Sequence, residues 1–178
     1  IYTVLKSILN YAEKEYNLRN FARNTVLPKR QTRTFEILSH EEQQILENYL
    51  RCDLKNPRKF GILLCLYAGL RLGEICALRW QDIDFHNNLL YVNYTLQRIP
   101  CKGTDNPSKT CIIVDSPKSG TSLRTIPLTD SMAPLLLGLK GSSGIDCYIL
   151  TNTDQYIEPR NYQYFFGRCL EQAGLRPI

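Results

Sequence analysis

No apolar run in this chain approaches the roughly 18–20 residues of a membrane-crossing helix, and its start lacks the charged-then-apolar pattern of a signal peptide. No membrane partner is therefore expected. Cys-x-x-Cys pairs are also missing. The cysteines number seven (Cys52, Cys65, Cys76, Cys101, Cys111, Cys147 and Cys169), and His40 and His86 lie near no cysteine cluster. That spacing argues against a zinc site, and the odd count argues against a full disulfide framework. Cys65 and Cys76 sit in apolar helical patterns and read as small buried hydrophobes. A reduced, cytoplasmic protein with no metal is the expectation. Internal repeats and low-complexity tracts are absent as well.

What is there is ordinary in bulk and uneven in detail. With 43% hydrophobic and 22% charged residues, the composition is that of a soluble globular protein. A length of 178 residues allows one domain with a sizeable core, or one domain plus part of another. The chain opens on Ile1 and closes on Pro177-Ile178, and it reads as a segment of a longer protein. Its net charge of +5 is concentrated at one end. Residues 1–35 carry Lys6, Lys14, Arg19, Arg23, Lys29, Arg30 and Arg33 against only Glu13 and Glu15, while the remaining charges balance. Such a stretch is either a phosphate-facing stripe or a solvated linker.

Residues 1–17 have helical periodicity, with Val4, Leu5, Ile8, Leu9, Ala12 and Tyr16 on one face. An isolated stripe of this kind needs a partner, so the segment reads as the last helix of an upstream helical domain. Residues 24–35, with Pro28 and several basic groups, lack periodicity and read as a linker. Ser39-His40-Glu41-Glu42 is a capping box that predicts a helix to about Arg51, with Ile45, Leu46, Tyr49 and Leu50 inward. A buried helix over 58–68 follows, then a second short helix after Gly69, ending with Trp80 to Asp84. Trp80 and Ile83 are expected to pack in the core. Strand-like segments are predicted at 89–96, 110–114 and 123–128, with a long loop from about Ile99 to Ser108 and a tight turn at Ser119-Gly120-Thr121. Thr129 to Lys140 reads as a helix, Tyr148 to Leu150 as a short strand, and Pro159 to Gly174 as a final helix. Helices, then a small antiparallel sheet of three strands, then helices, make an α+β fold that is mainly helical.

The stretch from Tyr67 to Asp84 is the most informative. Gly69 ends an apolar helix, Arg71 follows at once, and Leu72, Ile75, Ala77 and Leu78 start another apolar pattern. Two helices meeting at a glycine hold Arg71 rigidly, and the guanidinium fork suits a phosphate. Its anionic partner is either Glu74, three residues on, or a ligand. A second element, Asp115 to Leu128, holds Lys118 at a hairpin turn and Arg124 at the start of the returning strand. On pattern alone Lys118 is a solvated edge charge or a group reaching toward a phosphate. Arg124 either touches DNA or closes the hairpin electrostatically.

Ala68 through Ile83 fills every fixed position of the pattern Thr/Ala-Gly-Leu-Arg-x-Gly-Glu-x-x-x-Leu-x-Trp-x-Asp-Ile. It resembles the first catalytic-arginine motif of the tyrosine recombinases, the phage and conjugative-transposon integrases. Arg124 to Leu128 resembles the Arg-x-Ile/Val-Pro-Leu strand that follows the family's catalytic lysine, and Lys118 matches that lysine. The resemblance implies a division into 1–24, the end of a helical (SAM-like) core-binding domain, 25–35, a basic linker, and 36–178, a partial catalytic domain. It implies DNA strand cleavage and rejoining through a 3′-phosphotyrosyl intermediate, with double-stranded DNA as partner and no cofactor. Arg71 would clamp the scissile phosphate, Lys118 would protonate the leaving 5′-oxygen, and Glu74 would support Arg71. Lys29, Arg30, Arg33 and Arg124 are the DNA-contact candidates.

The family pattern continues with His-x-Leu-Arg-His, a further histidine or tryptophan, and a nucleophilic tyrosine. Neither His40 nor His86 stands in such a box, and the tyrosines present, among them Tyr156, Tyr162 and Tyr164, lack the nucleophile's context. The nucleophile and second arginine are therefore expected to be absent, and the fragment to be inactive by itself. Assembly into a homo-oligomer on DNA is left open. Two other readings stand beside this one. The first is a non-enzymatic DNA-binding or regulatory protein on a decayed recombinase fold. The second is an unrelated α+β module in which Arg71 and Glu74 are only a buried ion pair. Type IB topoisomerases share the chemistry, but the compact linker and hairpin favour an integrase.

Overall fold

The computed structural model describes residues 2–20, 22–26, 36–101, 110–115 and 123–178. The chain divides into two compact units, Ile1–Glu36 and Ile37–Ile178. The first holds helix α1, Tyr2–Tyr16, which buries none of its residues. Val4, Leu5, Ile8 and Tyr16 stay exposed, while Leu9 and Ala12 are half-buried, so the described residues cover the apolar stripe only in part. After α1 the chain turns through Asn17 in the left-handed region (φ 52°), and the Asn20 amide donates to Asn10 Oδ1 at 2.9 Å.

The second unit begins with α2, His40–Arg51, whose N-terminus is the expected box: Glu42 N–H donates to Ser39 Oγ, and Ser39 N–H to Glu42 Oε2. Leu46 and Leu50 are buried, but Ile45 is 47% exposed, which departs from the inward reading of that residue. The buried stripe of this helix is narrower than its apolar pattern. Helix α3, Pro57–Ala68, is capped by Asn56 and ends at Gly69, which takes the left-handed conformation (φ 61°). Its Phe60, Leu63 and Leu64 lie in the core with Ile75 of α4, Leu72–Ala77, and Leu170 of α6, Pro159–Gln172.

Trp80 to Asp84 do not end the second helix. Leu78 is extended, Trp80–Asp82 form a single 3-10 turn, and Ile83–Asp84 form strand β1. Two hydrogen bonds account for the break, one local and one to a distant segment. The Asp82 carboxylate accepts from Arg79 N–H at 3.0 Å and starts a new turn there. Leu78 gives its carbonyl to Ile149 N–H at 3.0 Å rather than to a continuing helix. Trp80 and Ile83 are buried, as read from the sequence, and the indole N–H donates to Asn152 Oδ1 at 2.9 Å.

The strand expected at 89–96 is two strands, β2 at Leu89–Val92 and β3 at Thr95–Pro100, separated by Asn93-Tyr94. Asn93 leaves the ladder to donate to Asp82 Oδ1 at 3.2 Å. The result is a three-stranded antiparallel sheet ordered β1-β2-β5, with β5 at Arg124–Pro127, and a separate hairpin of β3 with β4, Thr110–Asp115. Helix α5 is shorter than read, Met132–Lys140. Tyr148 makes only isolated bridges, to Arg79 and Thr153, instead of a strand. The α+β class holds. The loop after Ile99 and the turn at Ser119-Gly120 fall largely or wholly outside the described residues. Among the described residues no helix is long and apolar enough to cross a membrane.

Candidate functional site

The site is built at the joint between α3 and α4. Gly69 turns the chain without strain, and Arg71 becomes the N-cap of α4 with an extended backbone. Three residues on, the Glu74 side chain folds back: Arg71 N–H donates to Glu74 Oε2 at 2.9 Å, and Arg71 Nη1 donates to Glu74 Oε1 at 2.9 Å. This arrangement answers the question left open at Arg71 in an unexpected way. The carboxylate is buried, with 3% of its side chain exposed, whereas the Arg71 side chain is 70% exposed. The pair is not a buried one. A solvent-facing arginine stands on a buried anchor.

Gly73 explains why α4 can sit where it does. A Cβ at that position would come within 2.5 Å of Thr95 Oγ1 and 2.7 Å of the Leu96 carbonyl. The glycine lets the helix lie directly on β3, and α4 also packs against α6. The second half of the motif frames the first. Trp80 is tied to Asn152, whose own amide donates to the Leu139 carbonyl at 2.9 Å, and Asp82 ties the 3-10 turn to the break between β2 and β3. Burial pushes the Asp82 carboxyl up, against the downward pull of its bonds to Arg79 and Asn93.

A further member reaches the same carboxylate from β5. Arg124 Nη1 donates to Glu74 Oε1 at 3.1 Å and Nη2 to Glu74 Oε2 at 2.8 Å, a two-pronged pair, and Nη2 also donates to the Gly69 carbonyl at 3.1 Å. Glu74 therefore accepts four hydrogen bonds, two on each oxygen. Burial alone would push this carboxyl up. The bonds from Arg124 and from the Arg71 backbone and side chain outweigh it and hold Glu74 down at about 2. It is an anionic clamp at any ordinary pH, not a proton carrier. The nearby thiols are equally unsuited to chemistry. Burial pushes Cys65 and Cys76 up to about 12, and at Cys65 the Glu74 charge adds to the effect.

Of the residues singled out in the sequence, Arg71, Glu74 and Arg124 are thus brought together. Lys118, Lys29, Arg30 and Arg33 lie outside the described residues. The bond between Arg124 and Glu74 spans fifty positions of chain, and no local pattern announced it. The tyrosines behave as packing or surface groups. Tyr162 is buried and donates to the Arg58 carbonyl at 2.8 Å, while Tyr156 and Tyr164 are exposed. Among the described residues no group of three or more His, Cys, Asp or Glu side chains could hold a metal ion.

Comparison with known proteins supplies the family. Residues 36–177 match the model of the phage integrase family. A XerC-like tyrosine recombinase of Caldanaerobacter subterraneus subsp. tengcongensis is 30% identical over 139 residues, covering 74% of this chain and 35% of that protein. The integrase of Staphylococcus phage L54a is 26% identical over 151 residues, covering 74% of this chain and 41% of the relative. The chain thus spans well under half the length of these curated relatives. Among solved structures, a Tn1549 transposon integrase in complex with transposon right-end DNA superposes with a TM-score of 0.71 at 20% identity, over 94% of this chain and 55% of the other. XerA recombinase superposes with a TM-score of 0.55 at 20% identity, over 93% of this chain and 51% of the other. With its arginine turn, its α+β frame and a family match from Glu36 to Pro177, the chain belongs to the phage integrase family of tyrosine recombinases.

Proposed function

We propose that this chain is a segment of a site-specific DNA recombinase that cleaves and rejoins double-stranded DNA through a 3′-phosphotyrosyl intermediate. The observation that carries the reading is the charge distribution at the arginine turn. Two guanidinium groups share one carboxylate, so one positive charge is left over, and it is presented to solvent by Arg71. An exposed guanidinium fixed on a buried anchor is preorganised for the oxygens of a phosphate, where negative charge grows during transfer.

In this mechanism a tyrosine oxygen attacks the phosphorus, and the 5′-oxygen leaves as the new phosphotyrosyl bond forms. Arg71 binds the non-bridging oxygens. Lys118, six residues before Arg124 in the sequence, gives a proton to the departing 5′-oxygen, which would otherwise leave as an unfavourable alkoxide. Lys29, Arg30 and Arg33 supply phosphate contacts along the duplex. None of the tyrosines in these residues is given the nucleophile's part, and the isolated chain is expected to bind DNA without cutting it.

The test uses the protein at its natural length on a suicide DNA substrate, in which the covalent adduct accumulates. Arg71→Ala is expected to lower the rate of adduct formation by at least the 10²–10³-fold typical of removing one transition-state donor. Adduct formation at the unaltered rate by a folded Arg71→Ala protein would overturn the phosphate role. Adduct formation by the 178-residue chain alone would overturn the placement of the nucleophile elsewhere.

A further inference from the structure

Arg124 was legible in the sequence only as a residue that touches DNA or closes a hairpin. Among the described residues, its bonds run to the arginine turn. Its side chain is 29% exposed, against 70% for Arg71. Three donations, two to Glu74 and one to the Gly69 carbonyl, engage both its terminal nitrogens. The Gly69 carbonyl belongs to the turn that carries Arg71, so one guanidinium holds both the turn and the anchor. Arg124 also begins β5, where it pairs with Val92, so the grip comes from the sheet.

The sharing of Glu74 has a further consequence. A carboxylate has about four lone-pair sites. Arg124 takes one on each oxygen, the Arg71 backbone takes a third, and the Arg71 side chain is left with a single bond through Nη1. An arginine and a carboxylate left alone prefer a two-pronged pair. Arg124 occupies that arrangement and so prevents Arg71 from closing on Glu74.

We propose that Arg124 is a positioning residue that keeps the Arg71 fork open toward phosphate by holding Glu74 in a two-pronged pair of its own. The inference rests on the phosphate role given to Arg71 above. Without Arg124, Glu74 is left to Arg71 alone, draws its fork inward and competes with the DNA phosphate. The harm would then come from Glu74, and neutralising Glu74 should relieve it. A lost DNA contact or a lost structural tie would not be relieved in this way.

The experiment compares single-turnover adduct formation, in the natural-length protein on a suicide substrate, for Arg124→Ala, Arg124→Ala/Glu74→Gln and Arg71→Ala. Arg124→Ala is expected to slow the step on the order of 10- to 100-fold, the scale of a misplaced catalytic group. The double variant is expected to cleave faster than Arg124→Ala. A double variant equal to or slower than Arg124→Ala, or an Arg124→Ala protein as fast as the parent, would overturn the proposal. If Arg124→Ala does not fold, Arg124→Lys takes its place, because a point charge cannot supply the two-pronged pair. The same comparison with Glu74→Gln then decides the matter. An Arg71→Ala protein that retains the parent rate would overturn the phosphate reading itself, which is a different failure from a missing rescue.

Discussion

Glu74 is the residue on which the site turns, and its protonation links the site to stability. Its carboxyl is held at about 2, below its ordinary value of 4.5, because the bonds from Arg124 and Arg71 outweigh the burial that would raise it. A carboxyl lowered by folding contributes stability that is fully present above its unfolded value and is lost as pH falls through its folded value. The contribution should therefore be intact above about pH 5 and fade between about 4.5 and 2. Glu74→Gln removes the charge permanently. At neutral pH it is expected to lower stability by ~1–3 kcal/mol, the scale of hydrogen bonds to a charged group. Near pH 2 the gap between the two proteins should close. Denaturant midpoints measured at pH 7, 4 and 2.5 check this, and a constant gap across the series would show that Glu74 is not the linked group. The residue itself could be read from the sequence, since a glutamate three positions after an arginine at a helix start can reach back to it. Its second partner could not. Arg124 is separated from Glu74 by fifty positions, and only the folding of β5 beside the turn brings them together.

At the scale of elements, the site depends on how closely a six-residue helix approaches a strand. Gly73 makes that approach possible, since a Cβ there would meet the Leu96 carbonyl at 2.7 Å, and a backbone atom has little room to yield. Alanine is the better helix former by up to ~1 kcal/mol. Overpacking at a tight contact costs ~1–3 kcal/mol. The second effect is the larger, so Gly73→Ala is expected to destabilise the protein by ~1–2 kcal/mol net. It should also slow adduct formation through displacement of Arg71. Thermal or chemical denaturation measures the first effect, and a variant as stable as the parent would mean that α4 and β3 separate freely. The helices that begin at a capping residue or proline, α2, α3 and α6, were legible because their start signals are local. The segment from Leu78 to Leu96 was misread as a longer helix followed by one strand. Local and long-range bonds together break it: the Asp82 carboxylate accepts from Arg79 N–H and the Asn93 amide, and the Leu78 carbonyl accepts from Ile149 N–H. The apolar pattern of Leu78, Trp80 and Ile83 shows that these side chains are buried, not in which backbone form.

For the whole molecule the decisive feature is that charge and core are divided between different parts of the chain. The compact unit Ile37–Ile178 contains the packed core and the arginine turn, while residues 1–35 carry the entire net charge of +5. On the proposed reading, long-range attraction to a polyanion would come mainly from the N-terminal stretch, and recognition of one phosphate from Arg71. The two contributions differ in their salt dependence. Each phosphate neutralised on a duplex adds about 0.9 to the slope of log K against log salt. Replacing Lys29, Arg30 and Arg33 together by alanine is expected to flatten that slope by about 2–3 and to weaken binding to unrelated DNA sequences alike. Arg71→Ala should flatten it by no more than about 1. Titrations of a fluorescent duplex at several salt concentrations separate the two cases without requiring cleavage, so the 178-residue chain suffices. An unchanged slope in the triple variant would identify the basic stretch as a solvated linker, and the attraction would then have to reside in the unit from Ile37 onward. The expected result instead places capture of the duplex and grip on the scissile phosphate in separate segments, so that either can be weakened while the other stays intact.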